Sequence, residues 1–396
     1  MQTLRLKPRC DRRIRQGHLW VYSNEVDVAH CPLRQHEAGE VALLEDSRGK
    51  PLGLAYVNPN TLICARILTR KPTQPIGGAW LQQRLRHALS LREQLFAQPF
   101  YRLVYGEADG LPGLVVDRFG DVLALQANTA GMERLLGDIL DALEQLLQPR
   151  AIVLRNDSPM RELEGLPAVV AVARGELPDA VLIEENQTRF VVPVMEGQKT
   201  GWFYDHRLNR RAVRELAEGR RVLDVFSYIG GWGIQAATAG ASAVTLVDSS
   251  PRALELAQEN ARINHCGERC ETIAGKAQQV MKDMAEAGRR FDLVILDPPA
   301  FIKRKKDTAA GEQGYRRINE LAMRLLEPGG FLLSASCSMH FPRERLMETL
   351  AASASHIERR VAVLSCGSQG PDHPVHPAIP ETDYLKAALC RVDAPG

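Results

Sequence analysis

The chain has 396 residues, 45% of them hydrophobic and 25% charged, and its 50 Lys and Arg against 48 Asp and Glu leave a formal net charge of +2. Such a chain is long enough for two or three globular cores and too apolar to be disordered. Near-neutral charge excludes nucleic-acid binding by the surface as a whole, so any such partner must meet local basic patches. The opening "MQTLRLKPRCDRRIRQ" lacks the apolar core of a signal peptide, and the longest apolar runs are strand-length. A cytoplasmic protein without a membrane span is expected.

From residue 1 to about 70, "GHLWVYSNEV", "EVALLEDSRGKPLGLAYVNP" and "TLICARIL" alternate apolar residues with Gly and Pro punctuation. This predicts a small β barrel or sandwich. "KPTQPIGG" (71 to 78) reads as a linker. Leu81, Leu85, Ala88, Leu89, Leu95 and Phe96 then recur at helical spacing, followed by strands at "YRLVYGE" and "GLVVDRFGDVLALQ", a helix near 131 to 147 and a strand at "AIVLRND". That middle stretch predicts a compact α+β unit.

After about residue 190 short apolar strands alternate with amphipathic helices. Strands are expected at 221 to 226, 243 to 248, 270 to 275, 291 to 297, 331 to 337, 359 to 366 and 384 to 392. Helices are expected at about 205 to 218, 251 to 264, 277 to 287, 315 to 327 and 342 to 354. The alternation predicts a doubly wound α/β sheet, in which ligands gather at the carboxyl ends of the strands.

Several candidate residues fall at those ends. In "LDVFSYIGGWG", Asp224 closes a strand, and Gly230, Gly231 and Gly233 open the next turn, where backbone N–H groups can approach a ligand. The G-x-G-x-x-G dinucleotide fingerprint does not fit, because Phe226 to Tyr228 intervene. Asp248 ends the next strand, where a ribose hydroxyl needs an acceptor. Together they have the pattern of an S-adenosylmethionine pocket. Asp297 precedes two prolines in "FDLVILDPPAF", which stiffen the loop and hold its carboxylate at the rim. Amino-group methyltransferases carry an aromatic residue directly after such prolines; here Ala300 stands there and Phe301 follows.

Cys337, between Ser336 and Ser338, ends the strand after that of Asp297. Carbon 5 of a pyrimidine is too weak a nucleophile to take a methyl group unaided, and a thiolate adding to carbon 6 supplies the missing electron density. A free thiol with pKa about 8.5 is only a few per cent ionised at neutral pH, so Ser336, Ser338, backbone N–H groups or nearby cations must assist. A base must also remove the C5 proton, and the residues do not identify it; His373 and His376 in "DHPVHPAIP" are weak candidates. The eight cysteines are too scattered for a disulfide framework, and "HCGERC" (265 to 270) has no second ligand pair, so no metal is expected. Basic patches occur at Arg5, Lys7, Arg9, Arg12, Arg13 and Arg15, at Arg207, Arg210, Arg211 and Arg214, and at Lys303, Arg304, Lys305 and Lys306.

"GQKTGWFYDHR", "VLDVFSYIGGWG", "VDSSPRALELAQEN", "DPPAFIK", "SASCS" and "DHPVHPAIPETDYLK" resemble, in order, the motifs of the bacterial PUA-containing 23S rRNA cytosine-C5 methyltransferases. "GHLWVYSNEV" resembles that family's N-terminal RNA-binding domain and "GEADGLPGLVVDRFGD" its middle domain. The resemblance implies a multi-domain α/β protein: a PUA β barrel over 1 to 72, a central α+β domain over 73 to 188 and a Rossmann-like methyltransferase domain over 189 to 396. It implies Cys337 as nucleophile and Asp297 as the residue at the cytosine edge, with Asp297 also at the donor's rim. The donor pocket it implies comprises Gln198, Lys199, Thr200, Gly201, Asp224, Phe226, Ser227, Gly230, Gly231, Asp248 and Ser249. Arg12, Arg13, Arg15, Lys303, Arg304 and Lys305 are expected on RNA, and 23S rRNA or a large-subunit precursor is the expected partner. A homodimer is compatible with this reading. Relatives commonly place an acidic residue after the third strand for the adenine amino group, where this chain has Lys276.

Overall fold

The computed structural model describes residues 1–394. The chain forms two compact units, each assembled from separate stretches: Met1–Val181 with Val192–Tyr204 and Pro371–Thr382, and Leu182–Val191 with Asp205–Gly370 and the C-terminal stretch from residue 383.

The first unit holds two five-stranded sheets. One runs in the order Thr3–Arg5, Val41–Glu45, Pro51–Val57, Ile63–Thr69, Trp20–Tyr22, with Leu4, Val21, Leu44, Val57 and Ile67 in its core. The other runs Val169–Gly175, Ala151–Asn156, Val122–Ala127, Leu114–Phe119, Phe100–Tyr105. Helices Gly78–Leu95 and Leu136–Leu147 pack with it around Leu85, Leu103, Leu125 and Leu143. The helix expected near 131 to 147 is broken into Ala130–Arg134 and Leu136–Leu147. Gly131 marks the first piece: a Cβ there would lie 2.1 Å from the buried Tyr56 ring. The missing side chain therefore permits the close approach.

The second unit is built on a seven-stranded sheet. Its strands are β1 (Arg221–Val225), β2 (Ala243–Asp248), β3 (Cys270–Ala274), β4 (Phe291–Leu296), β5 (Leu326–Ser336), β6 (Arg360–Gly367) and β7 (Lys386–Asp393). Their order is β3-β2-β1-β4-β5-β7-β6, parallel except for β7, which runs antiparallel to both neighbours. β1 and β4 are central and nearly all buried, which is why they read as continuous apolar runs. Helices α1 (Arg207–Arg214), α2 (Gly233–Thr238), α3 (Pro251–Ile263), α4 (Ala277–Glu286), α5 (Thr308–Leu325) and α6 (Arg343–His356) connect or flank the strands.

Three local expectations are corrected here. α2 replaces part of what reads as a glycine-rich turn, because its Ile234, Ala236 and Ala237 bury one short apolar face. α1 is shorter than 205 to 218, since Tyr204–His206 forms a tighter 3₁₀ turn before it. α5 begins seven residues before the expected 315. Gly311 and Gly314 look like helix breakers, yet a Cβ at Gly311 would meet Ile302 Cγ1 at 2.3 Å and one at Gly314 would meet Phe301 Cδ2 at 3.1 Å. These glycines let the helix close onto the loop that follows Asp297.

Candidate active site

The candidate donor turn lies where β1 reverses into α2. Phe226 and Tyr228 have φ of 67° and 49°, a conformation rare for non-glycine residues, and Gly230 has φ of 84°. The strain is offset by hydrogen bonds: the N–H groups of Phe226 and Ser227 both donate to Val247 O, and Tyr228 N–H donates to Asp248 Oδ2 at 2.9 Å. A Cβ at Gly230 would lie 2.4 Å from Ile234 Cδ1, so only glycine fits there. Asp248 accepts a second N–H, from Ser250, at Oδ1, while the Ser250 side chain caps α3 by accepting from Ala253. Ser249 beside it is exposed, and Lys276 is exposed just beyond β3.

Asp224 is fully buried. Gly233 N–H donates to its Oδ2 at 2.8 Å, while its Oδ1 and the nearby Ser227 Oγ are buried with no partner among the described residues. Burial, with lesser contributions from Asp297 and Asp248, pushes the Asp224 carboxyl up to about 7. A buried acceptor and a buried hydroxyl without partners are costly unless a ligand completes them. Both fit a cationic amino acid with hydroxyl-bearing ribose, as S-adenosylmethionine presents. At the next strand end, Asp248 keeps acceptor capacity on each oxygen after its two backbone bonds.

Asp297 follows β4, its side chain 22% exposed. Burial acts to raise its pKa, but the His206 ring at 3.1 Å and the Trp232 indole N–H at 3.0 Å outweigh it and hold the carboxyl below the ordinary range. Asn209 donates to His206 Nδ1 at 3.1 Å, so Nε2 carries the proton directed at Asp297. Trp232 in turn packs against His206 and lies under the Arg210 guanidinium, which Glu185 holds at 2.6 Å. The expectation for Asp297 named neither partner, although His206 stands in the quoted "YDHR".

Cys337 is half-buried, one residue past β5. β4 and β5 pair in parallel with Leu296 opposite Ser334, so Asp297 and Cys337 emerge at the same end of adjacent strands. The flanking serines face a buried tyrosine on α5: Ser336 Oγ donates to Tyr315 Oη at 2.8 Å, and Ser338 Oγ pairs with the same hydroxyl at 2.8 Å. Ser338 Oγ also accepts Ile302 N–H at 3.1 Å. Those hydroxyls thus tie the Cys337 loop to the Asp297 loop.

"GQKTG" divides from the residues that follow it. Gln198, Lys199, Thr200 and Gly201 belong to the first unit, where Thr200 Oγ1 donates to buried Asp117 at 2.5 Å and Lys199 lies over the Phe203 ring. His373 also belongs to the first unit, bonded to Asp372 at 3.0 Å and packed on Tyr105. Of the basic residues, Arg12 and Lys303, Lys305 and Lys306 are exposed. Arg13 is paired with Glu25, Arg15 with Asp11 and Asp46, and Arg304 with Asp307. No group of three or more His, Cys, Asp or Glu suited to a metal occurs among the described residues, and no helix among them is long and apolar enough to cross a membrane.

Sheet order and strand-end residues together define an S-adenosylmethionine-dependent methyltransferase fold. Residues 166–389 match the family model for S-adenosylmethionine-dependent methyltransferases, and residues 4–70 match that for PUA-like domains. The crystal structure of SMU.776 complexed with SAH superposes with a TM-score of 0.84 at 19% identity, covering 99% of this chain and 100% of that one. Ribosomal RNA large subunit methyltransferase I of Serratia proteamaculans is 35% identical over 387 residues, 96% of this chain and 97% of that protein. The protein of the same name from Yersinia pestis is 36% identical over the same span. The chain belongs to the ribosomal RNA large subunit methyltransferase I family, and S-adenosylmethionine is its methyl donor.

Proposed function

We propose that this protein methylates C5 of a cytosine in 23S rRNA, or in a large-subunit precursor, through a transient bond between Cys337 and C6 of the base. The observation that carries the reading is a thiol and a carboxylate, Cys337 and Asp297, at the same end of adjacent strands in a donor-binding fold. The names of the relatives support large-subunit rRNA as the acceptor.

Bound S-adenosylmethionine supplies an electrophilic methyl group. Asp224, Ser227, Gly230 and Asp248 would hold it at the ends of β1 and β2, with Phe226, Gly231 and Ser249 in the same turns. Cys337 Sγ adds to C6, and the electron pair of the C5–C6 bond becomes available at C5 for the methyl group. Asp297, kept ionised by His206 and Trp232, accepts from the exocyclic amino group and holds the ring in register. Loss of the C5 proton to a base then expels the thiolate and restores the aromatic ring. Arg12, Arg13, Arg15, Lys303, Arg304 and Lys305 serve the phosphates. A three-domain division at residues 72 and 188, a cytoplasmic location beside the ribosome, and assembly with a second copy of the chain belong to the same reading; light scattering tests the last.

Wild type and Cys337→Ala are incubated with unmodified rRNA and labelled donor, and nucleosides are resolved by mass spectrometry. The wild type forms 5-methylcytosine and the variant forms at least a thousandfold less; undiminished product from the variant removes the covalent route.

A further inference from the structure

The reaction proposed above needs Cys337 as a thiolate, and neither flanking serine is placed to favour it, since both hydroxyls are committed to Tyr315. We infer that Lys386, the first residue of β7, is the cation that keeps Cys337 ionised, acting as its electrostatic counter-ion. This inference rests on that reading of Cys337.

Position comes from topology. β7 is the strand that runs against the others, so its beginning, and not its end, reaches the carboxyl end of β5: Ser336 pairs with Lys386. From there the Lys386 side chain donates to Ser338 O at 2.6 Å, and to Tyr384 O at 2.7 Å. Its backbone is thus opposite the residue before Cys337 and its ammonium bonds to the residue after it. The side chain is buried, and both of these hydrogen bonds go to backbone carbonyls. Carbonyls satisfy two of the three ammonium protons but not the charge. Buried ammonium groups are seldom left without an anion, because several kcal/mol of hydration are forfeited.

The charged surroundings agree. Burial brings the Lys386 ammonium down to about 8, with Cys337 and Asp383 acting to raise it and Arg343 on α6 acting to lower it. Tyr315, on α5, is pushed up by burial, so it stays protonated and does not compete as an anion. Near neutrality Lys386 is therefore mostly charged, and its support fades as pH rises past about 8. When the thiol ionises its proton leaves to solvent, the ammonium keeps its three protons, and the sulfur lone pair forms the bond to C6.

The test reads the thiol without RNA. The purified full chain is alkylated with iodoacetamide across pH 5.5 to 10, and the rate at Cys337 is followed by peptide mass spectrometry in wild type, Lys386→Met and Lys386→Arg, each first checked for donor binding by calorimetry. Wild-type Cys337 should titrate well below the ordinary thiol value of about 8.5. Lys386→Met should move that midpoint up by about one unit, which is about tenfold slower alkylation at pH 7. Lys386→Arg, which keeps the charge, should retain the low midpoint. An unmoved midpoint in Lys386→Met, with donor binding intact, would make the lysine merely structural. A wild-type midpoint at or above 8.5 overturns the inference even if no variant folds. Because alkylation is independent of methyl transfer, either failure leaves 5-methylcytosine formation to be judged by itself.

Discussion

At the scale of single residues, the donor-binding place proposed for Asp224 costs stability. Its folded-state pKa of about 7 lies above the ordinary 3.8, so its neutral form is favoured in the fold. That contribution is full at acid pH and is lost as pH rises toward 7. Asp224→Asn should therefore raise the unfolding free energy at pH 8 by about 1–2 kcal/mol, read by denaturant titration, while weakening donor binding at least tenfold. In wild type a cationic donor favours the carboxylate, so binding near pH 7 should release protons. Calorimetry in buffers of differing ionisation enthalpy measures the number, and affinity should fall as pH drops below 7. His206 acts in the opposite sense on Asp297, lowering its pKa, and this pairing was not legible beforehand. A histidine in "YDHR" and a tryptophan in "GGWG" carry no local sign that both meet one carboxylate; only the fold of α1 beside α2 brings them there.

At the scale of elements, the strand ends were readable because central parallel strands are buried on both faces and appear as uninterrupted apolar runs, each stopping at a polar residue. Asp224, Asp248, Asp297 and Cys337 stand at or just after such stops. The start of α5 was not, because Gly311 and Gly314 weaken helix propensity and earn their place only through contact with Phe301 and Ile302. Lys386 was hidden for a related reason: its proximity to Cys337 is a property of antiparallel pairing between β5 and β7, across 50 residues of chain (386 − 336). Tyr315 joins α5 to both neighbouring loops through its hydroxyl. Tyr315→Phe should cost about 1–3 kcal/mol of stability, since two buried serine hydroxyls lose a partner, and thermal unfolding would register it. β6 is an edge strand whose Val363 and Leu364 are 43% and 53% exposed. Val363→Lys should slow heat-induced aggregation, measured by light scattering, with little change in the unfolding midpoint.

At the scale of the molecule, the net charge of +2 makes RNA affinity a matter of where cations stand. Replacing Lys303, Lys305 and Lys306 by Gln should lower the slope of log affinity against log salt by about 2–3, as filter binding over a salt series would show. Arg13 and Arg15 should contribute less than their count suggests, because carboxylates already neutralise them. The two-unit partition was the least legible property, for it depends on stretches far apart in the chain: Val192–Tyr204 and Pro371–Thr382 lie within the stretch expected to form the methyltransferase domain, 189 to 396, yet belong to the first unit. There Tyr204 stacks on Phe119 and donates to Arg118 O, and Asp372 takes Arg102 N–H. A fragment beginning near residue 189 would carry both stretches away from their hosts and strand Trp202, Tyr204 and His373 in water. Proteolytic nicking or gene truncation at that point should yield not a portable catalytic module but a sticky half, recoverable only when the missing half is supplied in trans.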